Sequence, residues 1–220
     1  MPERSSFDWH NAHEYLEQLL PDEIRDLNVG GRSAAELAIQ PTIGPSVAQL
    51  VDVLIIATRP KRVLEIGTST GYSAIAMAKA LTLVGGHLTT IEIDPRLARA
   101  AENNIREAGL SQLVDVIAAD ANDVIAQTDE RFGLILQDGS KDDYLRMLVP
   151  LVRLLEPHGL LVTDDVLFPV MDLPDEIKSY RYALSLYNGA LQEHPELQTI
   201  WLPIGDGAAV SVKMPPAKKT

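Results

Sequence analysis

The sequence contains no cysteine, so disulfides, thiolate zinc sites and cysteine nucleophiles are excluded together. That absence suits a reducing compartment, and a cytoplasmic location is expected. There is no apolar run near the roughly 20 residues that a membrane-spanning helix needs. The opening stretch MPERSSFDWHNAHEYLEQLL carries early acids where a signal peptide would have a basic region followed by an apolar one. No membrane association is expected. Positive charge is also scarce: 19 Lys and Arg against 31 Asp and Glu give a formal net charge of −12. Polyanion binding rests on clustered bases that displace counterions, whereas Lys218-Lys219 reads as a solvated tail. A small-molecule partner is therefore expected, and nucleic acid is not.

What is present is the make-up of a globular enzyme-sized domain. Hydrophobic residues make up 46% and charged ones 23% of 220 residues, which suits a single α/β domain. From Lys61 onward, short β-branched runs alternate with longer amphipathic ones, the rhythm of βαβ units around a parallel sheet. The expected strands are RVLEIG, HLTTIEID, LVDVIAAD, FGLILQD and GLLVTDD. Helices are expected over Tyr72 to Leu81, Arg96 to Ala108, about Asp142 to Leu155, and near Asp175 to Glu193. Pro157-His158-Gly159 is read as the stop of the third of these. LQTIWLPI and AAVSVKM follow, joined by Gly205-Asp206-Gly207. So short a turn makes them antiparallel neighbours, giving a seven-stranded, mostly parallel sheet with one reversed strand near its C-terminal end. Residues 1–58 are read as a helical N-terminal cap and 59–220 as the core of one domain spanning 1–220.

In an open parallel sheet, ligands bind beyond the C-terminal strand ends where the strand order reverses. The first βα loop forms one wall of that crevice, and Gly67 and Gly71 bracket a turn where a Cβ would obstruct close approach. Ser73 follows at a helix N-terminus, where backbone N–H groups favour a carboxylate. Glu92 ends the second strand, placed to accept from ribose hydroxyls. These features alone leave adenosylmethionine and NAD both open. Two details favour adenosylmethionine: Ser69 stands where a pyrophosphate-binding loop needs glycine, and an antiparallel terminal pair does not belong to a simple dinucleotide-binding half.

Asp138 ends the fourth strand, and Asp164 and Asp165 end the fifth. Carboxylates converging in a partly buried site repel one another unless protons or a cation compensate them. All-oxygen ligation suits a hard cation such as Mg²⁺, Ca²⁺ or Mn²⁺. Lys141 follows Asp138 by about one helical turn and is a candidate general base. The competing readings are a cap on a following turn for Asp165 and a surface lysine for Lys141. On the loop after Asp165, Phe168 and Met171 are candidates to touch substrate, with ordinary packing as the alternative.

VLEIGTSTGYSA, TIEIDP, DGSKDDY, GLLVTDDVL and LPIGDG together resemble the cation-dependent O-methyltransferases of the catechol and caffeoyl-coenzyme A type, over most of the chain from about Gln40. The resemblance implies a Rossmann-like class I methyltransferase fold, S-adenosylmethionine as cofactor, a small catechol-like acceptor and a homodimer. It implies that Ile43, Glu65, Gly67, Ser69, Gly71, Tyr72, Ser73, Glu92, Ile93, Asp120, Ala121 and Asp138 bind the cofactor. Asp138, Asp164 and Asp165 would hold the metal, with Lys141 and Asp138 catalytic. Three departures stand out: Asp165 replaces the usual asparagine, Pro41 replaces a common methionine, and Pro157-His158-Gly159 replaces Pro-Gly-Gly. The alternatives are a metal-independent small-molecule methyltransferase and an RNA-modifying one on the same scaffold.

Overall fold

A computed structural model of the chain describes residues 9–21 and 43–215; Pro41 and Lys218-Lys219 lie outside them. Seven strands form one sheet: β1 (Arg62–Ile66), β2 (His87–Glu92), β3 (Val114–Ala118), β4 (Phe132–Gln137), β5 (Leu155–Thr163), β6 (Leu197–Leu202) and β7 (Ala208–Lys213). Their order is β3-β2-β1-β4-β5-β7-β6. The first five run parallel, and β7 lies antiparallel between β5 and β6, as the short Gly205–Gly207 turn requires. Order reverses between β1 and β4, which opens the crevice at their C-terminal ends.

The described helices are α1 (Trp9–Gln18), α2 (Pro45–Thr58), α3 (Tyr72–Val84), α4 (Pro95–Glu107), α5 (Ala121–Gln127), α6 (Tyr144–Leu154) and α7 (Tyr180–Glu193). Strand periodicity divides the core between two faces. Leu134 and Leu136 of β4 pack with Val51 of α2, Ile75 and Leu81 of α3 and Ile105 of α4. Ile135, between them, packs with Ile125 of α5, Leu151 of α6 and Leu184 of α7 on the opposite face. A central parallel strand is thus apolar on both sides, and it reads in sequence as a run without alternation. Helix α2 contributes fully buried Val47, Val51 and Ile55 to this layer.

Three local expectations need correction. The helix expected from Asp142 starts as a 3₁₀ turn, Lys141–Asp143, and continues as α6 from Tyr144. The next one splits in the same way, with a 3₁₀ turn at Asp175–Ile177 before α7. Pro157-His158-Gly159 is no helix stop. It lies within β5, where His158 adopts φ 65° and the register against β4 shifts between Phe132 and Leu134, the signature of a bulge. The short α5 was not anticipated, because seven residues carry too little periodicity to register.

Candidate active site

Beyond the C-terminal ends of β1, β2, β4 and β5 lies a cavity of about 560 Å³. Its floor begins with the loop after β1, where Gly67 (φ 94°), Ser69 (φ 49°) and Gly71 (φ 92°) adopt left-handed conformations. The structure adds a packing reason for both glycines. A Cβ on Gly67 would lie 2.5 Å from the carbonyl oxygen of Asp138, and one on Gly71 3.2 Å from Cβ of Ala101. Gly67 thus lets β1 and the end of β4 meet, and Gly71 lets α3 pack on α4. At Gly67 the Asp138 backbone leaves no room for a side chain, and at Gly71 a side chain would crowd Ala101.

Glu92 is aimed by two backbone donors. The N–H of Ser69 gives a bond of 2.8 Å to Oε2, and the N–H of Asp94 one of 2.9 Å to Oε1. Each carboxylate oxygen keeps further acceptor capacity toward the cavity. Asp94 itself caps α4 by accepting from the N–H of Arg96 at 2.8 Å, and Asp120 caps α5 by accepting from Asn122 at 2.8 Å. The Asn122 bonds hold the Asp120 carboxyl below its ordinary range.

Beneath the loop, Glu65 is fully buried. Its Oε2 accepts from Thr90 Oγ1 at 2.5 Å, Thr90 also meets the Thr68 hydroxyl, and Oε1 has no partner among the described residues. Burial pushes the Glu65 carboxyl up to about 7 against the hydrogen bonds from Ser73 and Thr90, with Asp138 and Glu92 adding repulsion.

On the other wall, the carboxylates of Asp138, Asp164 and Asp165 offer oxygens within 4.8 Å of one another. The backbone N–H of Asp138 donates to Ile66 at 2.9 Å, which ties the end of β4 to β1. Asp165 adopts φ 63°, a left-handed conformation that aspartate and asparagine tolerate better than most residues. Asp164 is 4% exposed, and its Oδ1 finds no hydrogen-bond partner among the described residues. Desolvation, reinforced by Asp138 and Asp165, raises its carboxyl well above the usual range. Burial likewise raises Asp138, outweighing the attraction of Lys141.

Lys141 Nζ sits 2.9 Å from Asp138 Oδ1 and 2.6 Å from Asp165 Oδ2, over the Tyr144 ring at 5.2 Å from its centroid. Desolvation works against its charge, but Tyr144, Asp138 and Asp165 outweigh it and hold the amine well above its ordinary value. The donor set is all oxygen with a buried, unpartnered member, so the residues fit a hard divalent cation.

A buried polar network supports this wall. Tyr187 OH donates to Gln137 Oε1 at 2.9 Å and meets Thr163 Oγ1 at 2.8 Å, and Tyr144 OH donates to the Gln137 carbonyl at 3.1 Å. These bonds clamp the ends of β4 and β5 directly below Asp138 and Asp164.

Of the cofactor, metal and catalytic residues expected from sequence, all line the cavity except Glu65, Gly71 and Tyr72. Glu65 lies under its floor, Gly71 faces α4, and Tyr72 packs into the core beside α2. Phe168 and Met171 do not line it; Phe168 is buried in the core of the α6–α7 face, and the partly buried Met171 packs against that core. Sequence reasoning missed Glu17, Ser140, Asp143, Met147 and Asp206 as lining residues. Asp206 had a legible signal in the Gly205–Gly207 turn, whose carbonyls accept from Val166 and Leu167 and so bring it beside the Asp165 loop. Glu17, on the distant α1, had none.

Known proteins agree with this architecture. A family model described as O-methyltransferase matches residues 11–214. The catechol O-methyltransferase of Niastella koreensis is 32% identical over 164 residues, covering 72% of this chain and 74% of that one. The human transmembrane O-methyltransferase is 36% identical over 170 residues, 71% of this chain but only 57% of the relative. In fold, the chain superposes on the S-adenosylhomocysteine-bound methyltransferase of Podospora anserina with a TM-score of 0.81 at 22% identity, covering 98% and 100% of the two chains. The loop, the acidic strand ends and these matches converge on one assignment: the chain belongs to the O-methyltransferase family.

Proposed function

We propose that this chain carries a methyl group from S-adenosylmethionine to a hydroxyl of a small, catechol-like aromatic acceptor. A divalent cation, Mg²⁺ first and Ca²⁺ or Mn²⁺ as alternatives, would be held by Asp138, Asp164 and Asp165. The observation that carries this reading is the convergence of these carboxylates across one cavity from the glycine loop and Glu92. On this reading Glu92 takes the ribose hydroxyls, and Asp120 and Ala121 face the adenine. The Ile43 backbone and the Ser73 end of α3 hold the methionine portion, with Glu65 supporting them from beneath the floor. The bound cation supplies a fixed position for two neighbouring acceptor oxygens and a lowered hydroxyl pKa. The chain's own contribution is proximity and alignment for in-line displacement. Lys141 Nζ is the atom placed to take the hydroxyl proton, after its ammonium has released a proton to solvent. One domain spanning 1–220, acting as a cytoplasmic homodimer, belongs to the same proposal.

Calorimetry with adenosylmethionine and a catechol, in Mg²⁺ and in EDTA, tests cofactor, acceptor class and cation together. Cofactor binding with acceptor binding only in Mg²⁺ is expected, and Asp138→Ala is expected to abolish turnover. No adenosylmethionine binding, or an unchanged transfer rate in Asp138→Ala, sinks the reading. A second reading has a specific observation behind it, since the Lys141 ammonium already sits against Asp138 and Asp165. There the cluster orients substrate without metal, and activity persists in EDTA.

A further inference from the structure

Asp165 makes its described side-chain contact with Lys141, at 2.6 Å, and both side chains are nearly buried, at 15% and 11% exposed. The second contact of that ammonium, to Asp138 at 2.9 Å, falls on another member of the same cluster. Of the three carboxylates, Asp164 alone keeps a buried oxygen with no partner among the described residues. The three carboxylates are therefore unequal: one is open, and two share a cation that the chain itself provides. We propose that Lys141 is a tethered cation occupying the acidic cluster, and that Asp165 is a positioning residue that anchors it. A divalent ion then gains Asp138 and Asp165 only as Lys141 gives them up. This rests on the cation-binding reading above and deepens it.

The physical reason is competition for few acceptors in a poorly solvated place. Two cations cannot both sit within contact distance of the same two carboxylates without strong repulsion. A buried ammonium that loses its partners also carries a desolvation penalty, which adds to the work of metal entry. The Tyr144 ring under Nζ gives Lys141 a face against which to remain. An amide at position 165 would keep an oxygen for the metal but would lose the ion pair with Lys141. This separates the two roles of the residue experimentally.

The test is a double-mutant cycle read as Mn²⁺ affinity by calorimetry on the full chain: wild type, Lys141→Met, Asp165→Asn and the double variant. Lys141→Met is expected to bind Mn²⁺ at least about tenfold more tightly than wild type. Asp165→Asn is expected to weaken binding about tenfold less in wild type than in the Lys141→Met background, because in wild type it also releases the competitor. The same weakening factor in both backgrounds overturns the proposal while leaving the metal site standing, since residues that are not coupled contribute additively. Absence of Mn²⁺ binding in all four proteins overturns the cation reading itself, and this inference with it. Near-ultraviolet circular dichroism on each variant checks that the Tyr144 environment is intact.

Discussion

Glu65 is an acid kept away from water with one oxygen unpartnered and the other held by Thr90. Its carboxyl is raised from 4.5 to about 7, chiefly by burial. The sign follows directly: the folded state binds the proton more tightly than the unfolded chain. Stability is thus fully present below the unfolded value and is lost as pH rises through about 7. The shift corresponds to roughly 3 kcal/mol. Urea denaturation of Glu65→Gln should show a stability advantage over wild type that grows between pH 4.5 and 7 and is flat above that; a constant difference contradicts it. Gly67 offers a second residue-scale test. With φ 94° and a Cβ that would meet Asp138 backbone at 2.5 Å, Gly67→Ala should lower stability by about 2 kcal/mol or more and weaken cofactor binding, measurable by urea denaturation and calorimetry.

At the scale of elements, the candidate site depends on how β4 and β5 are joined below it. Tyr187 on α7 reaches across to Gln137 on β4 and Thr163 on β5, with neither hydroxyl nor amide in contact with solvent. Tyr187→Phe removes the shared hydroxyl and leaves Gln137 Oε1 buried without a donor, so a loss of about 1–3 kcal/mol is expected in urea denaturation. If the network also sets the spacing of Asp138 and Asp164, the variant binds Mn²⁺ less tightly as well. The bulge at His158 works at the same scale. By absorbing the register shift in β5, it lets the strand begin against Phe132 and still end with Asp164 level with Asp138.

For the whole molecule, the cavity is assembled from parts far apart in the chain, so ligands that fill it should stabilise the entire cooperative unit. Adenosylmethionine at a hundred times its Kd should add about 2.7 kcal/mol. For a chain of this size that raises Tm by roughly 5–11 °C, readable in a thermal melt. No thermal shift with adenosylmethionine contradicts the proposed cofactor. The net charge of −12 belongs to this scale too: it disfavours association with polyanions, and a negative filter-binding result with tRNA at low salt is expected.

The sequence by itself determined the alternation of strands and helices, the reversed terminal strand, the glycine loop and the acids at the strand ends. Those signals are local: hydrophobic period, turn length and residue type are readable within a dozen positions. The family resemblance was likewise carried by contiguous motifs. Tertiary structure alone decided that Gly67 and Gly71 make room for Asp138 backbone and for Ala101, and that Phe168 and Met171 serve packing. It alone brought Glu17 and Asp206 to the cavity wall. It also decided that Lys141 lies between Asp138 and Asp165. Each of these is a distance between residues on different elements, and a linear pattern carries no such distance until the sheet order brings the elements together.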